Sequence, residues 1–268
     1  GIEEELIDWD FSLFDEGFFT LPEDGRIYRD WKEGGHGNTN LFKAITQSSN
    51  TYFFDLAYRS DINKLNAHLV SLGFGDKACI DCFEEDRVFV PNPSWKMNKH
   101  NFGWFKGDTV NMGVGQGYLV STPIQLAKYA YIIANKGKYS DLSLKKDLVK
   151  NEMNIQFNTF SNDDWYKLHE SMVNVIEGNT GTARRLKETK SYVVAAKTGT
   201  AELVSADSKD QYVETRLDDS LRDHALIIAF GPIPNPRYAV SVVVENGESG
   251  GSVAGPVAIS VLNSLIQE

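Results

Sequence analysis

The chain has 268 residues, 41% hydrophobic and 24% charged, the balance of an ordinary globular protein. Its formal net charge of -10 excludes a partner held by a basic surface, nucleic acid above all. No run of about 18 apolar residues is present, so no stretch reads as a membrane-spanning helix, and no signal peptide is visible. The opening Gly1-Ile2-Glu3-Glu4-Glu5 lacks an initiator Met and reads as a trimmed fragment.

Residues 15–37 are rich in turn formers: Gly17, Pro22, Glu23-Asp24-Gly25 and Gly34-Gly35-His36-Gly37. They predict a looped segment with a short hairpin at Asp24-Gly25. Asp15, Asp30 and His36 offer hard and borderline donors within it, so they are candidate metal ligands. Carboxylates that cap turns and a backbone-bonded His36 are the alternative. Asn40 is placed to cap a helix through Leu41, Ala44, Ile45, Ser48 and Ser49. A second helix is predicted over Ile62 to Leu72, stopped by Gly73 and Gly75.

Cys79 and Cys82 form a lone C-x-x-C, read as two incidental thiols with a local disulfide as the alternative. Residues 83–105 read as irregular, broken by Pro91 and Pro93. Gly113, Gly115 and Gly117 depart from both the P-loop and the dinucleotide fingerprint, so their segment reads as a close-packed turn. Thr122-Pro123 starts a strong apolar helix ended by Gly137. A basic surface connection (138–150), a helix (Asp163 to Ile176) and a loop at Gly178-Asn179-Thr180-Gly181-Thr182-Ala183 follow. Tyr192 to Glu202, His224 to Pro232 and Arg237 to Asn246 read as three antiparallel strands, with a charged excursion over 205–222. An apolar helix, Ala254 to Ile266, closes the chain. The expected class is α+β, an antiparallel sheet flanked by helices. The expected organisation is one partial domain over 1–268: a looped segment (1–40), a mainly helical part (41–185), then strands and terminal helix (190–268).

The most informative stretch is Lys197-Thr198-Gly199-Thr200, at the end of an apolar strand. Its cation and hydroxyls can hold an anionic group, and Gly199 lets a ligand approach the backbone. Ser48-x-Asn50 and Lys197-Thr198-Gly199, in that order, resemble the second and third signatures of penicillin-binding serine transpeptidases. Further stretches extend the match: Arg29-Asp30-Trp31-Lys32, Ser48-Ser49-Asn50-Thr51-Tyr52-Phe53, Gly115-Gln116-Gly117-Tyr118, Thr122-Pro123-Ile124-Gln125-Leu126-Ala127, Lys197-Thr198-Gly199-Thr200-Ala201-Glu202 and Val244-Glu245-Asn246-Gly247. Together they resemble the penicillin-binding protein 2 family, class B peptidoglycan D,D-transpeptidases of cell elongation.

The resemblance implies the penicillin-recognising, β-lactamase-like fold, incomplete at the N-terminus. It implies an enzyme that cross-links stem peptides through an acyl-enzyme at D-Ala-D-Ala and is trapped by β-lactams. Ser48 would relay a proton to the leaving amine, Asn50 would orient the general-base lysine and bind a substrate amide, and Lys197 would supply positive potential. Thr198 and Thr200 would bind the substrate carboxylate, Gly199 would admit it, and the Thr200 N–H would serve as an oxyanion donor. No cofactor is required. Zinc is a candidate at Asp15, Asp30 and His36, although Ser49 stands where some relatives carry a cysteine. Implied partners are stem peptides, β-lactams, a SEDS-family glycosyltransferase and elongation-complex proteins, at the periplasmic face of the bacterial inner membrane. The membrane would be reached only through an anchor absent from this chain, and the fragment itself is expected to be soluble.

The family's first signature, Ser-x-x-Lys, should precede Asp15 and is absent there. The one literal match, Ser143-Leu144-Lys145-Lys146, falls out of order in a Lys-rich stretch. The chain as given is therefore expected not to acylate. A β-lactamase-like hydrolase and a non-catalytic binding or sensor domain are the competing readings. The Gly-Gln-Gly-Tyr and Thr-Pro-x-Gln-Leu-Ala strings favour the transpeptidase.

Overall fold

Short strands open the chain because apolar residues there are interrupted by turn formers every few positions. In the computed structural model, which describes residues 1–146, 148, 152–203 and 221–266, β1 (Ser12–Asp15) pairs antiparallel with β4 (Gly37–Asn40). Between them β2 (Phe18–Thr20) and β3 (Ile27–Arg29) form the hairpin expected around Asp24-Gly25. Asn40 Oδ1 accepts from the Lys43 N–H and caps α1 (Leu41–Gln47).

Two units divide the chain. The first holds Gly1–Ala44 and Ser49–Trp165; the second holds Ile45–Ser48 and Tyr166–Glu268. Thus the stretch 41–185 contributes to both.

The first unit contains α2 (Asn50–Arg59), α3 (Ile62–Ser71), α4 (Pro93–His100), α5 (Lys106–Gly113) and α6 (Pro123–Ala134). Leu21, Tyr28, Phe54 and Val110 form one buried cluster, and Phe74, Val90 and Met112 another. The last helix, α6, is fixed by a capping box: Thr122 accepts from the Gln125 N–H while the Gln125 side chain accepts from the Thr122 N–H.

The second unit is a three-stranded antiparallel sheet with helices. Its strands are β7 (Ala195–Ala201), β8 (His224–Gly231) and β9 (Tyr238–Val244), in the order β7-β8-β9. The register sets Lys197 opposite Ile228, Thr198 opposite Ile227 and Thr200 opposite Ala225. Buried Val194, Ala196, Ala225, Ile227 and Ala229 pack with Val175 and Ile176 of α7 (Asn162–Glu177) and Ala258, Ile259 and Leu262 of α8 (Gly255–Ile266). In the first unit, β5 (Lys138–Ser140), at the start of the stretch expected to be a surface connection, pairs antiparallel with β6 (Glu152–Asn154), which lies just beyond that stretch.

Four local readings are corrected. Pro93 does not break its segment: it sits in the first turn of α4, where a missing N–H is harmless, and Asn92 caps the helix. The stretch before Gly115 is not a turn but α5, whose Gly113 faces Ala57 and the Phe53 carbonyl of α2 so closely that a Cβ would clash. Cys79 and Cys82 are not free thiols but form a disulfide. Lastly, α1 ends at Gln47 rather than running to Ser49, for a reason given below. Of the charged excursion expected over 205–222, residues 205–220 lie outside the described residues.

Candidate active site

The site begins with a break in a helix. Ser48 has φ +57°, in the left-handed region, and the Ser49 N–H donates back to the Ala44 carbonyl at 3.0 Å. That is the six-to-one closure of a helix end whose left-handed position usually belongs to glycine. A serine there costs about 1 kcal/mol or more in backbone strain. The helical spacing of Ser48 and Ser49 is therefore misleading. Ser49 leaves α1 and becomes the cap of α2, accepting from the Tyr52 N–H at 3.2 Å.

The strained serine faces a lysine. Lys197 Nζ donates to Ser48 Oγ at 2.7 Å and to the Thr198 carbonyl at 2.8 Å. Both residues belong to the second unit. Desolvation lowers the Lys197 pKa from 10.5 to about 8. At neutral pH the amine thus remains mostly protonated, with about a tenth of it neutral. Among the described residues β7 pairs in the sheet only with β8 and is thus an edge strand. Strand alternation puts Lys197 and Gly199 on one face and Thr198 and Thr200 on the other. Such an edge can accept an extended peptide as a further strand.

Asn50 is the first residue of α2 and lies in the first unit. Ser143 is also in the first unit, where its hydroxyl donates to Asp81 Oδ2 at 2.8 Å in a loop whose Lys145 and Lys146 are exposed. That bond gives it a turn-holding role. Thr182 was missed: its hydroxyl lies 2.7 Å from that of Thr198. A threonine in a glycine-bounded loop gives no sequence signal for such a contact.

Asp15, Asp30 and His36 do meet. All three are buried, with donor atoms within 4.8 Å of one another. His36 Nε2 lies 3.3 Å from Asp30 Oδ1. Ser49 Oγ donates to Asp15 Oδ2 at 2.6 Å, and the Gly17 and Thr51 N–H groups donate to Asp15 and Asp30. The Thr51 hydroxyl is buried and has no hydrogen-bond partner among the described residues. The geometry suits a three-ligand cation site, with Ser49 offering a hydroxyl, a weaker zinc ligand than a thiolate.

Comparison with known proteins shows the family. The family model for the penicillin-binding protein transpeptidase domain matches residues 1–263. The peptidoglycan D,D-transpeptidase MrdA of Acinetobacter baumannii is 38% identical over 95% of this chain and 38% of its own length. MrdA of Haemophilus influenzae is 35% identical over 99% of the chain and 42% of its own length. The chain therefore spans about two fifths of the curated relatives it matches. Among solved structures, Pseudomonas aeruginosa PBP2 in complex with WCK 5153 superposes with a TM-score of 0.88 at 34% identity, covering 100% of this chain and 58% of that one. Helicobacter pylori PBP2 in complex with MreC gives 0.82 at 31% identity, covering 94% and 44%. The helix break at Ser48, the β7 lysine and the match along nearly the whole chain lead to one assignment: the chain belongs to the penicillin-binding protein transpeptidase domain family, with PBP2-type (MrdA) relatives.

Proposed function

We propose that this chain carries the second and third motifs of a PBP2-type peptidoglycan D,D-transpeptidase and forms one wall of its acyl-transfer site. The observation that carries the proposal is the Lys197 amine held between Ser48 Oγ and the Thr198 carbonyl. A hydroxyl next to a desolvated amine with a pKa of about 8 can pass a proton in either direction near neutral pH.

In the reaction, a serine hydroxyl gives its proton to the general-base lysine of its Ser-x-x-Lys motif while its oxygen attacks the carbonyl carbon of the penultimate D-Ala. The charge that develops on the carbonyl oxygen is met by the Thr200 N–H. Collapse breaks the C–N bond, and the departing terminal D-Ala takes a proton through Ser48, which Lys197 resupplies. An amine of a second stem peptide then attacks the ester carbonyl, forms the cross-link and releases the serine. Thr198 and Thr200 bind the substrate carboxylate, Gly199 lets it approach, and Asn50 orients the base and holds a substrate amide. The attacking serine is assigned to a Ser-x-x-Lys outside this chain, because Ser143 is tied to Asp81. Alone, the 268-residue chain is accordingly inactive. Stem peptides, β-lactams, a SEDS-type glycosyltransferase and elongation-complex proteins are the proposed partners, at the periplasmic face of the inner membrane. Among the described residues no helix is long and apolar enough to cross a membrane.

The test uses the full-length protein with a D-Ala-D-Ala pentapeptide and an amine acceptor. Release of D-Ala with formation of the cross-linked product is expected. Rapid hydrolysis of a β-lactam without cross-linking would support a hydrolase instead.

The reaction needs no cofactor. Asp15, Asp30 and His36 are proposed to hold a divalent cation, zinc being the candidate, which when bound would tie β1 to both ends of the loop between β3 and β4. Ser49→Cys, which supplies a thiolate, is expected to tighten zinc binding at least tenfold in competition with a chelator. It should also raise the melting temperature in zinc relative to chelator. Unchanged affinity would remove the metal reading.

A further inference from the structure

The loop between α7 and the sheet touches Thr198 of the third motif and Gln47, the residue before the second. Gln47, next to Ser48, donates from Nε2 to Thr180 Oγ1 at 3.0 Å. Two residues on, Thr182 Oγ1 lies 2.7 Å from Thr198 Oγ1. All of these residues belong to the second unit. The loop's backbone is pinned on two sides. The Ala183 N–H donates to the Val175 carbonyl at 2.9 Å, and the Thr182 carbonyl packs where a Cβ on Gly251 would stand 2.4 Å away. Thr182 therefore has little freedom to leave Thr198.

We infer that Thr182 is a positioning residue that sets the direction of the Thr198 O–H. A threonine hydroxyl has one proton and two lone pairs. Either oxygen can donate across the 2.7 Å contact. If Thr198 donates to Thr182, its proton is turned away from a ligand. If Thr182 donates to Thr198, the Thr198 proton is released to a carboxylate, and the chain Thr182→Thr198→carboxylate polarises in one direction. Anion binding thus reverses a hydroxyl pair that the loop holds ready. The inference rests on the proposed role of Thr198 in binding the substrate carboxylate.

The test compares acylation rate constants of the full-length protein for a penicillin and for its methyl ester, which lacks the anionic oxygen pair. Wild type is expected to favour the acid strongly. Thr182→Val keeps the shape and removes the donor; it should slow acylation by the acid roughly tenfold, the upper scale of one lost neutral hydrogen bond, and leave the ester within about twofold. Thr182→Ser should restore the acid rate to within about twofold of wild type. Thr182→Ala, which also lacks the donor but adds no bulk, serves if the valine variant shows no cooperative melt. Equal loss on acid and ester would mean a structural role and would overturn the inference, as would no loss at all. A wild-type enzyme indifferent to esterification would instead overturn the carboxylate reading on which the inference rests.

Discussion

Replacing Lys197 by methionine is expected to make the protein more stable and nearly inert. The amine is partly buried and its pKa is lowered by desolvation, so at neutral pH the folded state bears the cost of an ill-solvated cation. The sign follows from proton counting. Between about pH 8 and 10.5 the unfolded chain keeps a proton that the folded chain has lost. Stability therefore rises with pH across that window, and below it the wild type carries a penalty of roughly 3 kcal/mol. Methionine fills similar space without the charge. After the lost hydrogen bonds to Ser48 and Thr198 are offset, Lys197→Met should gain about 1–2 kcal/mol at pH 7. Its stability should also lack the wild-type rise of roughly 2–3 kcal/mol between pH 7 and 10. Acylation of the full-length variant by penicillin should fall at least about a hundredfold to a thousandfold, because the proton relay and the positive potential are both removed. Urea titrations at several pH values and stopped-flow acylation check the two halves separately. A methionine variant that melts lower and still acylates would contradict both.

Gly250→Ala should be among the most damaging small substitutions in the second unit. A Cβ there would stand 2.2 Å from the Leu226 carbonyl oxygen and 2.7 Å from that of Gly199, both backbone atoms that cannot swing aside. Gly250 opens the wide turn Gly250–Ala254 that enters α8, so the sheet and the helix entry would have to part. The expected loss is about 2–4 kcal/mol, with a fall in melting temperature of order ten degrees. The Gly199 carbonyl lies on the strand that carries Lys197 and Thr198, so acylation should weaken beyond what unfolding explains. Gly103→Ala is the control: nothing lies within 4 Å of its Cβ position, and a change within about 0.5 kcal/mol is expected. Equal melting temperatures for the two variants would refute the close packing of Gly250.

The sheet was legible because Tyr192 to Glu202, His224 to Pro232 and Arg237 to Asn246 are apolar, β-branched runs bounded by polar and proline-rich turns. The helices at Thr122-Pro123 and Asn40 were legible from their caps. What failed was local context. Pro93 was read as a breaker because its place in a first turn depends on Asn92. Ser48 was read as helical because spacing says nothing of a left-handed residue held by a tertiary partner, Lys197. The motif residues Ser48 and Lys197, 149 positions apart, were paired by resemblance and meet at 2.7 Å. The Thr182–Thr198 contact and the close packing of Gly250 depend on which loops cross, and periodicity carries no such information.

The most direct measurement is covalent labelling by a fluorescent penicillin, with the labelled residue mapped by mass spectrometry. The full-length protein is expected to take one label, on the serine of a Ser-x-x-Lys outside these 268 residues, and to lose it in Lys197→Met. The 268-residue chain alone is expected to take none. Label on Ser143, or undiminished labelling without Lys197, would contradict the assignment of the acyl-transfer site to Ser48 and β7.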